Sequence, residues 1–71
     1  MTEQERKDRF AVNLMRMIAE YGCTLRDFAE EAGVSEAALN HYIHGRRLPN
    51  FFVLEQMADT LGCDIDEFRR Y

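Results

Sequence analysis

The stretch GVSEAALNHYIHGRR, residues 33–47, carries the side chains of this 71-residue chain best equipped to read a polar partner. Glu36, Asn40 and His41 fall within two helical turns, with Ala37 and Ala38 between them and Arg46 and Arg47 beyond. A carboxylate accepts from the amino group of cytosine, an Asn amide pairs bidentately with adenine, and a small apolar side chain touches the thymine methyl. Arginine, planar and permanently charged, grips phosphate. For a helix meant to stand in a DNA groove the set is unusual, because Glu36 repels phosphate and no Arg or Lys appears before Arg46.

The same residues give little to catalysis. His41 and His44 stand three apart on one helix, but no carboxylate or thiol at a suitable spacing completes a metal site. There is no Gly-rich phosphate loop and no nucleophile beside an orienting base. We expect no enzyme activity, no cofactor and no metal.

Such side chains work only on a rigid frame, and the punctuation of the chain is helical throughout. Thr2 with Glu5 forms a capping-box pattern that opens helix 1, expected over about residues 4–21. Phe10, Leu14, Met17, Ile18 and Tyr21 then recur on one face before Gly22 stops it. Thr24 caps a second helix with Leu25, Phe28, Ala29 and Ala32 inward, and Gly33 ends it. Ser35 caps a third, about 36–44, that buries Leu39, Tyr42 and Ile43 and stops at Gly45. Pro49 and Asn50 open a fourth with Leu54, Met57, Ala58 and Leu61 inward. Asp64 with Glu67 suggests a last capping box, and Ile65 and Phe68 anchor a short fifth helix. No segment alternates with the period of a strand. The expected fold is all-α, one compact five-helix domain over residues 1–71.

Composition agrees. A 46% hydrophobic and 31% charged chain is globular. No apolar run or basic leader marks a membrane span or signal peptide, so a cytoplasmic location without membrane contact is expected. Cys23 and Cys63 each follow a glycine and read as buried, reduced thiols. The net charge of −4 counts against binding a polyanion by charge alone. Yet residues 1–21 are neutral and 22–50 carry −1, whereas 51–71 carry −3. The acid excess is concentrated away from the 33–47 stretch.

Only Gly33, Val34 and Ser35 join helices 2 and 3. So short a link makes the two helices cross steeply, with Ala29 small enough for the approach and Gly33 able to turn left-handed. Downstream come Gly45-Arg46-Arg47-Leu48-Pro49, and then Leu54, Met57, Ala58, Leu61 and Gly62 at fixed spacing. In these three motifs the chain, over about residues 10–68, resembles the lambda repressor-like helix-turn-helix domain of Cro and cI-type repressors, the XRE family. The resemblance implies a sequence-specific DNA-binding transcriptional regulator, most simply a small repressor. It places helix 3 in the major groove of a palindromic operator, usually as a homodimer. It also implies base readout by Glu36, Ala37, Asn40 and His41, and phosphate contacts at Arg26, Ser35, His44, Arg46, Arg47 and Asn50.

Three departures stand out. Leu25 occupies the position where relatives carry a phosphate-contacting Gln, with Arg26 beside it as a substitute. Ile18 and Ile43 replace a partly buried Arg–Glu pair; removing both charges together leaves neither unpaired, and such swaps are often neutral or stabilising. Phe51 fits a core position, and Phe52 follows where relatives are polar. Core packing is the simpler reading of Phe52, and a dimer contact through Phe52, Phe68 and Tyr71 is the other. A different use of the same fold, as a protein-interaction module such as an antitoxin or adaptor, would turn Glu36 and the two alanines toward a protein.

Overall fold

The computed structural model describes residues 1–69. It contains helices α1 (Glu3–Tyr21), α2 (Leu25–Ala32), α3 (Glu36–Ile43) and α4 (Phe51–Leu61), then a 3₁₀ helix, Ile65–Arg69. Among the described residues there is no strand, and no helix is long and apolar enough to cross a membrane.

Each α-helix starts on a side-chain cap. The Thr2 hydroxyl accepts from the Glu5 N–H at 3.1 Å while the Glu5 carboxylate accepts from the Thr2 N–H at 3.2 Å, so the capping box is complete. Those bonds, the Thr2 backbone first and its side chain second, hold the Glu5 carboxyl below its ordinary pKa. Thr24, Ser35 and Asn50 accept from Asp27, Ala38 and Val53 N–H groups at 3.1, 3.0 and 2.9 Å. A cap of this kind contributes roughly 1 kcal/mol, which matters for α2 and α3 at eight residues each.

One core joins all the elements. Its largest fully buried side chains are Leu14, Phe28, Leu39 and Met57, one from each α-helix. Around them pack Phe10 and Ile18, Ala29 and Ala32, Tyr42 and Ile43, Ala58 and Phe68. Ala29 is buried where α2 and α3 turn on each other. There Val34 N–H bonds to the Ala29 carbonyl at 2.9 Å and Gly33 takes φ 71°, the paired closure of a Schellman turn. Ile18 and Ile43 both lie in this core, so neither position buries a charge. Asn13 is the buried polar side chain among the described residues, and its amide donates to the Glu67 carbonyl at 2.8 Å. Its oxygen accepts from Arg16, so both its polar atoms have a partner.

The structure departs from the sequence reading at helix ends. Tyr21 and Leu25 are 45% and 36% exposed, and Phe51 and Phe52 are each 66% exposed. Tyr21, Leu25 and Phe51 each occupy the last or first position of a helix, where the inward stripe runs past the core. Phe51 therefore does not fill a core position, and neither does Phe52. The charge of nearby Glu31 raises the Tyr21 phenol pKa. The fifth element is 3₁₀, not α, closed by Glu67 N–H on the Asp64 carbonyl at 3.0 Å. Five residues after a glycine stop are too few for the wider helix to gain by forming. Phe68 is 3% exposed with its ring 5.7 Å from that of Phe10, so it belongs to the core and presents no face to a second chain. Tyr71 lies outside the described residues. Cys23 and Cys63 are free thiols but half-buried, at the rim of the core just past their glycines.

Two outcomes follow from this packing. Leu14→Ala should cost about 2–5 kcal/mol by urea denaturation, while Phe52→Ala should stay within about 0.5 kcal/mol, because only the first opens a cavity. Desolvation first, and the carboxylates of Glu31 and Asp27 or of Glu67 and Asp64 second, raise the Cys23 and Cys63 pKa values. A raised pKa leaves less thiolate at any given pH, so both should alkylate more slowly than free cysteine near pH 8. The rate should rise only at more alkaline pH, and urea should abolish the difference.

Candidate nucleic-acid interface

Helix α3 buries Leu39, Tyr42 and Ile43 and turns Glu36, Ala37, Asn40 and His44 to solvent. Ala38 and His41 are half-buried. Of the two side chains one turn along, Asn40 is thus the more outward and His41 flanks it. Glu36, Asn40 and His44 fall in an i, i+4, i+8 line along the exposed side.

The start of α3 offers donors. Ser35 uses its oxygen to accept from Ala38 N–H, which leaves the hydroxyl proton free to donate outward. The first amides of a helix lack intrahelical acceptors and favour an anion. Arg26, in the first turn of α2, reaches Glu36 in the first turn of α3 at 3.8 Å. Both side chains are largely exposed, so the pair contributes little to stability. It shows that the two helix starts lie side by side.

The end of α3 offers cations. Arg46 N–H bonds to the His41 carbonyl at 2.9 Å and Gly45 N–H to that of Tyr42 at 3.2 Å, with Gly45 at φ 69°. The His44 ring nitrogen Nδ1 lies 2.7 Å from the Asn40 carbonyl, which leaves Nε2 as the outer nitrogen. The chain then leaves the helix axis, and Arg46 and Arg47 stand exposed in the loop. The Arg47 guanidinium sits 5.8 Å from the centre of the Tyr42 ring, a cation–π contact that limits its wandering. Asn50 spends its oxygen on Val53 N–H, leaving its amide NH2 as a donor.

Four of the acidic side chains gather elsewhere. Glu55, Asp59, Asp64 and Asp66 line a hollow of about 360 Å³ between α4 and the 3₁₀ helix, which contains none of the α3 or loop residues. The interface itself sets Arg26, Arg46 and Arg47 against Glu36, with Asp8 of α1 beside Gly45.

Two participants escaped the sequence reading. Tyr42 reads as core from its spacing, and it is core, but its ring also seats Arg47. Gln4, in the first turn of α1, donates to the Gly45 carbonyl at 2.9 Å across 41 residues of sequence. No local pattern signals a contact of that span.

Comparison with known proteins bears on this arrangement. A sequence model of the HTH_3 helix-turn-helix family matches residues 14–68. No curated protein matches the chain. Among solved structures, an HTH_3 family transcriptional regulator from Vibrio cholerae is similar at 27% identity and a TM-score of 0.86. That likeness covers 94% of this chain and 38% of the Vibrio protein, so the chain spans well under half the length of that relative. The matched segment includes the steep α2–α3 turn, the glycine stop of α3 and the loop after it, and on that match the chain belongs to the HTH_3 helix-turn-helix family.

Proposed function

We propose that this chain is a sequence-specific DNA-binding transcriptional regulator that lays α3 in the major groove. The observation that carries the reading is α3 itself. One side is locked into the core by Leu39, Tyr42 and Ile43, the other presents Glu36, Ala37 and Asn40 with His41 at its flank, and Arg46–Arg47 follow directly. A groove about 12 Å wide admits one such helix. Glu36 and Asn40 then meet base amino groups and adenine edges, and Ala37 a thymine methyl. Phosphates on either side are held by Arg46, Arg47 and Asn50 after the helix, and by Ser35, Arg26 and His44 around it. Repression needs only occupancy of a promoter, which makes a small repressor the simplest form of this function.

The exposed Phe51 and Phe52, with Leu48 nearby in sequence and 40% exposed, are the surface on which a second copy would dock, in place of the buried Phe68. Two copies related by a two-fold axis then read half-sites about 34 Å apart, which is what a palindromic operator supplies. The same phenylalanines are the feature that favours the other reading, a protein-interaction module docking a different chain.

Selection from a randomised duplex pool at low salt separates the two. The protein should enrich a palindrome, and Arg46→Ala/Arg47→Ala should abolish the enrichment. On the selected duplex, log K against log salt should fall with a slope that flattens by about 0.9 for each phosphate contact removed. No enrichment, with both proteins alike, overturns the DNA reading and favours a protein partner. In sedimentation on the selected duplex, Phe51→Ser/Phe52→Ser should leave one protomer bound where the parent places two. Unchanged stoichiometry would move the dimer contact elsewhere.

A further inference from the structure

We infer that Gln4 and Asp8 of α1 form a clamp that fixes the direction in which Arg46 leaves α3, so that the first helix positions the phosphate-gripping loop. The inference rests on the DNA reading above for its purpose, but its geometry stands alone. Gln4 Nε2 donates both to the Gly45 carbonyl and to Asp8 Oδ1, each at 2.9 Å. A side-chain amide has two N–H donors on one nitrogen, and an ionised carboxylate only accepts. Asp8 therefore turns the nitrogen of Gln4, and not its oxygen, toward Gly45.

The peptide between Gly45 and Arg46 is held at both ends. Its N–H bonds to the His41 carbonyl at 2.9 Å, and its C=O receives Gln4. Because a peptide unit is planar, pinning both groups fixes the plane and with it the position of the Arg46 Cα. Gly45 is buried between two exposed neighbours, His44 and Arg46. A Cβ at Gly45 would stand 2.6 Å from Asp8 Oδ1, so the loop lies directly against α1. The left-handed backbone there, φ 69°, also disfavours any other residue. Glycine serves two ends at once, turning the chain and letting α1 close on it. Gln4 and Asp8 both precede the segment 14–68 matched by the family, so the clamp is supplied by this chain's own first turns.

The test uses the full chain with Gln4→Ala, and Gln4→Glu as a second variant. The latter sets a carboxylate against both Asp8 and the Gly45 carbonyl. Helical content should match the parent in both, since Gln4 is exposed at a helix end. Hydrogen exchange at the Arg46 amide, followed by NMR, should accelerate in both variants and more in Gln4→Glu. Affinity for the selected duplex should fall about two- to tenfold in Gln4→Ala, the span of one hydrogen bond's net contribution. In the Arg46→Ala/Arg47→Ala background, read on non-selective duplex at low salt, the Gln4→Ala factor should shrink to one, because the clamp acts through those arginines. A loss that persists undiminished in that background overturns the positioning role. Parent-like exchange at Arg46 overturns the clamp. A parent protein that binds no duplex overturns the DNA reading, separately from the clamp, which the exchange still decides.

Discussion

Burial of Leu14, Phe28, Leu39 and Met57, one side chain from each α-helix, is the constraint on which the other features rest. Neither α2 nor α3, at eight residues, is long enough to persist alone in water. Each exists because its apolar stripe is covered by the others. The orientation of α3 is a by-product of that coverage. With Leu39 turned inward, Glu36, Ala37 and Asn40 have nowhere to point but outward. Capping bonds and glycine stops then trim each helix to length, so the exposed residues keep a fixed register relative to the loop that follows.

Much of this was legible in the sequence because it depends on local rules. Cap residues, left-handed glycines and the 3.6-residue period mark where α1 to α4 begin and end, and the observed bounds agree to within a residue or two. The misplacements share one cause. Tyr21, Leu25 and Phe51 have the right phase for burial, but each sits at a helix terminus that the core does not cover. Periodicity reports the direction of a side chain, and direction alone does not say how far the core extends. Phe68, expected to anchor the last helix and also offered as a dimer contact, keeps only the first role, its ring packed beside that of Phe10.

The candidate site divides along the same line. Residues on α3 and its following loop were readable because they lie within one short stretch, and the structure adds which of Asn40 and His41 is the more outward. The Arg26–Glu36 pair and the Gln4–Gly45 bond join elements whose relative placement is set only by packing. A stretch-by-stretch reading has no access to either. The electrostatic picture also sharpened. An acidic total charge conceals a separation in which four carboxylates share one hollow at the α4 end while Arg46 and Arg47 occupy the loop after α3.

The interior of the described chain holds one polar side chain, Asn13, with partners for both its nitrogen and its oxygen, and apolar residues at Ile18 and Ile43. A core without ions owes little of its cohesion to ionic strength. The outward residues of α3 take no part in that core either. Substitutions at Glu36, Ala37 and Asn40 can therefore accumulate without threatening the fold, so the chemistry of that outward face can change while the architecture stays still.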